Sequence, residues 1–316
     1  MRLYIFGAGA SAGTLGLPAA RDFGLELARA KPRWRRAYPH LARVVEGLRQ
    51  SGETESWDLA DAWTRLDYLT KLAWAVDLGG DLAEANVEMR KALLDVYGRT
   101  GARVRRNGHK SQTVRTLLRR ARPGDVVVSF NYDLLVEQVA AEAGVHLVQA
   151  PCERCRGKHR CVQLVKPHGS LAWRVERLDG QARVRWRSAT GEPLLRALSN
   201  HQVSERLQPL VLGVVPIKSE LLREVEEAHH SAEVHEAIVR QWRAAVDAAR
   251  RADEIAVVGY SFPPEDQYGS FLFYEATRSR RRKPVVVFYE LEASAFEVAR
   301  RLVQVFGVWP TWRRPV

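Results

Sequence analysis

The feature that most limits what this 316-residue chain can fold into is the stretch VVVSFNYDLLVE, Val126 to Glu137. A continuous apolar run stops at Ser129-Phe130-Asn131-Tyr132-Asp133, and an amphipathic helical pattern follows at once. An uninterrupted apolar run of strand length suits a strand buried on both faces, as in a parallel sheet covered by helices. In such sheets ligands sit beyond the carboxyl ends of the strands, so Asn131 and Asp133 are expected to face a ligand crevice. The local alternative is that Asn131 caps the following helix and Asp133 favours its first turn.

The same pattern recurs along the chain. Arg2 to Phe6 reads as a short buried strand followed by Gly7-Ala8-Gly9-Ala10-Ser11-Ala12-Gly13, with a helix opening at Leu17 to Phe23. Strand, glycine loop and helix is the order in which backbone N–H groups approach a phosphate. Ala12 stands where the third glycine of G-x-G-x-x-G would fall, so an ordinary tight βα turn is the competing reading. Val162 to Lys166 runs into Pro167-His168-Gly169, and Ile255 to Gly259 into Tyr260-Ser261-Phe262-Pro263-Pro264-Glu265-Asp266. Val285 to Phe288 is expected to be the last strand, with Tyr289 and Glu290 at its carboxyl end.

These units predict an α/β fold with a Rossmann-like, mostly parallel sheet. From about Lys31 to Arg122 the strand signal disappears and apolar residues recur at helical spacing, as in Leu59, Ala62, Trp63, Leu66, Leu69 and Leu72. This predicts a helical insertion over 31–122 that divides a domain made of residues 1–30 and 123–316. Trp57, Trp63 and Trp74 are expected in its core, and Gly98 to Gln112 is expected to be a mobile loop. Leu171 to Arg177 and Ala182 to Ser188 read as a hairpin around Asp179-Gly180, and Pro209 to Pro216 as another buried strand. Helices are expected at Leu134 to Ala143, Ser219 to Glu227, Ala232 to Arg251 and Ala293 to Val305.

With 46% hydrophobic residues the chain has ample material for a core. No apolar run approaches the ~18 residues of a membrane span, and the N-terminal run is too short for a signal-peptide core, so a cytoplasmic protein is expected. Three cysteines, Cys152, Cys155 and Cys161, cluster with His159 in a small loop module. Three sulfurs and one imidazole suit a structural zinc ion; a reduced, metal-free loop is the alternative. The net charge of +12 favours anionic partners. Arg99 to Arg122 carries nine basic residues and no acid, and Arg278 to Lys283 is almost wholly basic. Base-stacking aromatics are sparse there, so direct nucleic-acid binding is not favoured over a solvated helix face.

In order, the strand ends GAGAS, SFNYD, KPHGSL and VVGYSFPPED resemble the sirtuin family, and within it the divergent bacterial sirtuin-like branch. The resemblance implies a sheet that binds NAD, with Gly7, Ala8, Gly9 and Ser11 at the pyrophosphate and Asn131 and Asp133 at the nicotinamide ribose. It implies His168 as catalytic base, and Gly259 with Ser261 lining the cofactor groove. Glu290 stands near the place where the family has an Asn at the adenosine ribose. Gly16-Leu17-Pro18 is shifted from the family's substrate segment, only Arg21 stands in for its Phe-Arg pair, and the cysteines precede the His-Gly instead of following it. These departures touch the peptide half of deacylation and leave the nucleotide half intact. The divergent branch is associated with NAD hydrolysis in defence against phage, so the expectation is an NAD glycohydrolase and homo-oligomer working with an ATPase, helicase-type or Argonaute-like partner. The alternatives are an NAD-dependent deacylase and a non-catalytic sensor of NAD or ADP-ribose.

Overall fold

The computed structural model describes residues 1–46, 56–72, 79–107, 112–149, 161–178, 181–186, 196–204, 206–213 and 232–315. Its strands are β1 (Arg2–Phe6), β2 (Val126–Ser129), β3 (His146–Gln149), β4 (Cys161–Val165), β5 (Gly169–Leu178), β6 (Gln181–Arg185), β7 (Leu207–Val211), β8 (Glu254–Val258), β9 (Val285–Tyr289) and β10 (Thr311–Arg313). Seven of them form one sheet in the order β10-β9-β8-β1-β2-β4-β3, and every neighbouring pair is parallel. The fold is therefore α/β with a Rossmann-like parallel sheet.

The apolar runs are uninterrupted because both faces of this sheet are covered. Along β1, Tyr4 and Phe6 enter one core and Leu3 and Ile5 the other. The alternation repeats in β2, with Val127 against Val126 and Val128, and in β8, with Ala256 and Val258 against Ile255 and Val257. The first core is closed by α1 (Ala8–Leu15), α2 (Phe23–Ala30), α3 (Trp34–Ala37), α4 (Pro39–Glu46), α5 (Leu59–Lys71), α6 (Gly79–Tyr97), α7 (Thr100–Asn107), α8 (Gln112–Arg120) and α9 (Leu135–Glu142). The second is closed by α10 (Ala232–Arg251), α11 (Gln267–Arg278) and α12 (Glu292–Phe306). The chain moves from β1 towards β2 on one side and later from β8 towards β10 on the other, with the helices changing face. The carboxyl ends of β1 and β8 thus flank the topological switch point, where such sheets open a crevice.

No strand occurs among the described residues between Lys31 and Arg122. The helices there share one core with β1, β2 and β4, and Trp34, Trp57 and Trp63 are buried in it; Trp74 lies outside the described residues. α5 begins where the Asp58 carboxylate accepts the Ala60 and Asp61 N–H groups at 2.5 and 3.3 Å, an N-cap by a residue type suited to it.

Three expectations are corrected. The glycine-rich stretch is not a loop: α1 starts at Ala8 with Gly7 as its N-cap, and Ala8, Ala10 and Ala12 supply the helix propensity that Gly9 and Gly13 lack. Thr100–Asn107 is helix instead of mobile loop, anchored by fully buried Val104. Val285 to Tyr289 is not the last strand, since β10 adds a parallel edge beyond it. The hairpin forms as antiparallel β5 and β6, but β7 joins it in a separate three-stranded sheet, β6-β5-β7, outside the parallel one. Asp179-Gly180 and the helix expected over Ser219 to Glu227 lie outside the described residues.

The basic clusters are partly structural. Arg280 Nη1 donates to Ala249 O and Ala252 O at 3.1 and 2.5 Å, and Lys283 Nζ to Thr277 O and Arg278 O at 3.0 and 2.9 Å. Cations are thereby placed on the carbonyl ends of α10 and α11, where the helix dipole favours them. Arg115 pairs with Glu142 at 2.6 Å. Among the described residues, no helix is long and apolar enough to cross a membrane.

Candidate functional site

The site starts from a backbone contact. Gly7 N–H donates to Val258 O at 3.0 Å and Gly9 N–H to Gly259 O at 2.8 Å, clamping the start of α1 against the end of β8. Gly259 has φ +57°, and a Cβ on it would stand 2.1 Å from Ala10 N. Only glycine fits there. Ala10 N–H is bonded to Gly7 O at 3.0 Å. The first turn of α1 therefore directs some of its donors at protein carbonyls, while Ala8 and Gly9 remain exposed at its positive end.

Asn131 is not the cap of α9. That helix begins after Leu134, which offers no side-chain cap, and it is the Asp133 carboxylate that accepts the Leu135 N–H, at 2.8 Å. The Asn131 amide reaches across the sheet instead, donating to Gly7 O and to Ser11 Oγ, each at 2.9 Å. The Ser11 hydroxyl in turn bonds the Asp133 carboxylate. Asn131, Ser11 and Asp133 are all buried, so the ends of β1 and β2 are joined by one polar relay. Burial pushes the Asp133 carboxyl up, while nearby Lys166 and its hydrogen bonds from Leu135 and Ser11 pull it down.

Beneath this relay lies Lys166, fully buried at the end of β4. Its Nζ donates to Asp133 O at 2.7 Å and to Glu137 Oε1 at 2.8 Å, and its backbone N–H to Gln241 Oε1 at 2.9 Å. The lysine ties the Asp133 turn, α9 and α10 to the strand that carries His168. Glu137 Oε2 is buried without a partner, and burial pushes that carboxyl up against the pull of Lys166.

His168 stands at the carboxyl end of β4 and is 2% exposed. Its Nε2 lies 3.0 Å from Asp266 Oδ2, and Tyr260 donates to the same oxygen at 2.5 Å. Burial and the Asp266 charge raise the Tyr260 phenol well above its ordinary range, which keeps it a donor. Phe130 approaches His168 edge-on with centroids 5.0 Å apart and stacks flat on Tyr260 at 4.2 Å, and Trp242 packs at 5.8 Å. Asp266 also caps α11 through Gly269 N–H at 3.4 Å. Directly after the histidine, Gly169 has φ +81°, and a Cβ there would stand 2.2 Å from Leu210 O, so glycine is required where the chain leaves the parallel sheet for β5. Between β8 and Asp266, buried Phe262 holds φ +50°, a region unfavourable for a bulky side chain, wedged between Tyr260, Phe273 and Phe306.

The remaining residues expected at the site are peripheral to this cluster. Ser261 is half-buried beside Phe262. Glu290 is half-buried after β9, where its carboxylate accepts the Leu291 N–H at 2.9 Å and its carbonyl the Trp312 indole N–H at 2.9 Å. Of the expected zinc ligands only Cys161 is described: it is disulfide-bonded, and an oxidised sulfur is not a zinc thiolate. Cys152, Cys155 and His159 lie outside the described residues, and no candidate metal group occurs among the described ones.

Lys166, Glu137, Tyr260 and Asp266 carry no assigned role in the sequence reading, although each lies inside or beside a strand-end motif. Asp266 had a signal, a carboxylate closing the YSFPPED stretch; Lys166 had only its place next to Pro167-His168.

No protein-family model and no curated protein matches the chain. Solved structures do. One, described as "Structural Basis for the Mechanism and Regulation of Sir2 Enzymes", aligns over 97% of this chain and 90% of its own, at 12% identity and a TM-score of 0.32. Another, Sir2 in complex with an inhibitor, 2'-O-acetyl-ADP-ribose and a deacetylated peptide, aligns over 97% of this chain and 94% of its own, at 12% identity and a TM-score of 0.29. The fold assignment rests on strand order and register, not on that likeness.

Proposed function

We propose that this chain hydrolyses NAD to ADP-ribose and nicotinamide. The observation that carries the reading is the Asn131 amide bonded at once to Gly7 O and Ser11 Oγ, which holds an amide, a hydroxyl and the Asp133 carboxylate together at the switch point of the sheet. Nicotinamide leaves as a neutral group, so the protein need not protonate it; what it must do is stabilise an oxocarbenium-like sugar and guide water to its opposite face. A fixed amide suits positioning of water or ribose hydroxyls, and a carboxylate suits the developing positive charge. His168, oriented by Asp266, is the proton acceptor in this reading. Its burial requires the aromatic shell of Phe130, Tyr132 and Trp242 to part when NAD enters. The exposed positive end of α1 fits a pyrophosphate, with Ala8 and Gly9 facing it at the turn made by Gly7, and Ser261 and Glu290 further along the groove.

The four strand-end motifs support a wider reading: a cytoplasmic, homo-oligomeric effector of anti-phage defence, held inactive until a trigger or an ATPase, helicase-type or Argonaute-like partner releases it. Incubating the purified chain with NAD, alone and with an acylated peptide, tests the reaction. Free ADP-ribose without peptide supports hydrolysis; nicotinamide release that depends on peptide means a deacylase, and binding without products means a sensor. Asn131→Ala and His168→Ala should each lower turnover by about a hundredfold or more, and activity above about a tenth of wild type in both would remove these residues from the chemistry.

A further inference from the structure

A second polar feature lies on the other side of Tyr132. Arg90 of α6 is 8% exposed, and its Nε is buried without a hydrogen-bond partner. Its Nη1 donates to Asn86 O in its own helix, at 3.1 Å. No carboxylate among the described residues pairs with it. Burial lowers its pKa to about 10, and the charge of another cation, Arg177, pushes the same way. The guanidinium carbon stands 5.7 Å from the ring of Trp63 on α5, whose indole N–H is also buried and unsatisfied, as is Asn86 Oδ1. The Trp63 ring lies against the Gly213 backbone, and the neighbouring Leu212 carbonyl accepts the Tyr132 hydroxyl.

Buried arginines are normally paired, because an isolated charge removed from water is costly. Contact with an aromatic face offsets that only in part. Here two unused donors and one unused acceptor gather around an uncompensated cation. We propose that Arg90 and the Trp63 indole form a binding site for a phosphate group, held between α5, α6 and the Leu212–Gly213 backbone. A hydrogen phosphate accepts from Nε and the indole N–H and donates its O–H to Asn86 Oδ1, satisfying all three atoms; the planar guanidinium suits such an oxyanion. The site is independent of the NAD reading, and its test reads binding instead of turnover.

The experiment titrates inorganic phosphate into the full chain at constant ionic strength set with chloride, following thermal midpoint and tryptophan fluorescence, with sulfate, acetate and ADP-ribose as parallel arms. Phosphate should raise the wild-type midpoint saturably, by about 2–4 °C at roughly ten times its dissociation constant. Sulfate, which lacks the O–H at neutral pH, should bind more weakly, and acetate more weakly still. A response confined to ADP-ribose counts for this site only where Arg90→Lys weakens it; one that Arg90→Lys leaves unchanged belongs to the α1 end and overturns the proposal. Arg90→Met should abolish the response, Arg90→Lys and Trp63→Phe should weaken it several-fold, and Ser11→Ala at the β1 end should leave it intact. No saturable response in wild type to any arm overturns the proposal. So does a response that is equal in wild type, Arg90→Lys and Trp63→Phe, a comparison that holds even if Arg90→Met fails to fold.

Discussion

Lys166 and Arg90 are both buried cations close to the Asn131–Asp133 turn, and they are treated in opposite ways. Lys166 has a carboxylate, a backbone carbonyl and a position at the junction of three elements. Arg90 has one carbonyl of its own helix, an aromatic face and an unsatisfied Nε. A buried pair costs desolvation but fixes geometry, whereas an unpaired buried charge carries the cost alone. Lys166 therefore belongs to the scaffold holding the strand ends in register, whereas Arg90 is left with an unused donor, which is what the proposed phosphate would satisfy.

The comparison breaks most sharply at Lys166. Lys166→Met leaves Glu137 buried without its cation and should destabilise the fold by about 3–5 kcal/mol, measured by chemical denaturation. Adding Glu137→Leu should restore most of that loss, to within about 1–2 kcal/mol of wild type, because an apolar pair of similar volume replaces an ion pair without leaving a charge behind; a double variant no better than the single would show that the Asp133 carbonyl contact dominates. Arg90→Met, measured without phosphate, should fall within about 1 kcal/mol of wild type, the lost aromatic contact being offset by relief of desolvation. A loss as large as that of Lys166→Met would make Arg90 a second structural cation.

The smallest effect is one of pH. Burial raises the folded-state Asp133 carboxyl above its ordinary value of 3.8. Below that value both states are protonated. As pH rises from there to the folded-state value, the unfolded chain loses the proton first, the folded state binds more protons, and stability falls. Relative to Asp133→Asn, wild type should therefore lose stability as pH is raised above 3.8 and level off above the folded value. A wild-type advantage that grows with pH would mean that Lys166 and the hydrogen bonds outweigh burial.

The sheet was legible because its signal is local. Uninterrupted runs such as Val126–Ser129 and Glu254–Val258 occur where both faces are buried, and each run ends where the crevice begins. α10 matched its expected span, Ala232 to Arg251, because apolar residues recur on one face through its whole length. β10 left no such signal: Thr311–Arg313 is three exposed residues that become a strand only because β9 offers an open edge. β7 read as a buried strand, but nothing in its residues says which sheet receives it; that depends on the turn at Gly169, where backbone crowding from Leu210 is set by the fold itself.

The sequence by itself determined the α/β class, the strands of the parallel sheet from β1 to β9, and the gathering of polar residues at strand ends, since hydrophobic period and turn chemistry act between neighbours in the chain. Only the tertiary structure decided that Asn131 turns away from its helix to Gly7 and Ser11, that Asp266 holds His168, that Lys166 is paired and that Arg90 is not. Each of those is a contact between residues far apart in sequence, and whether a buried charge finds its partner depends on which elements the shared core presses together.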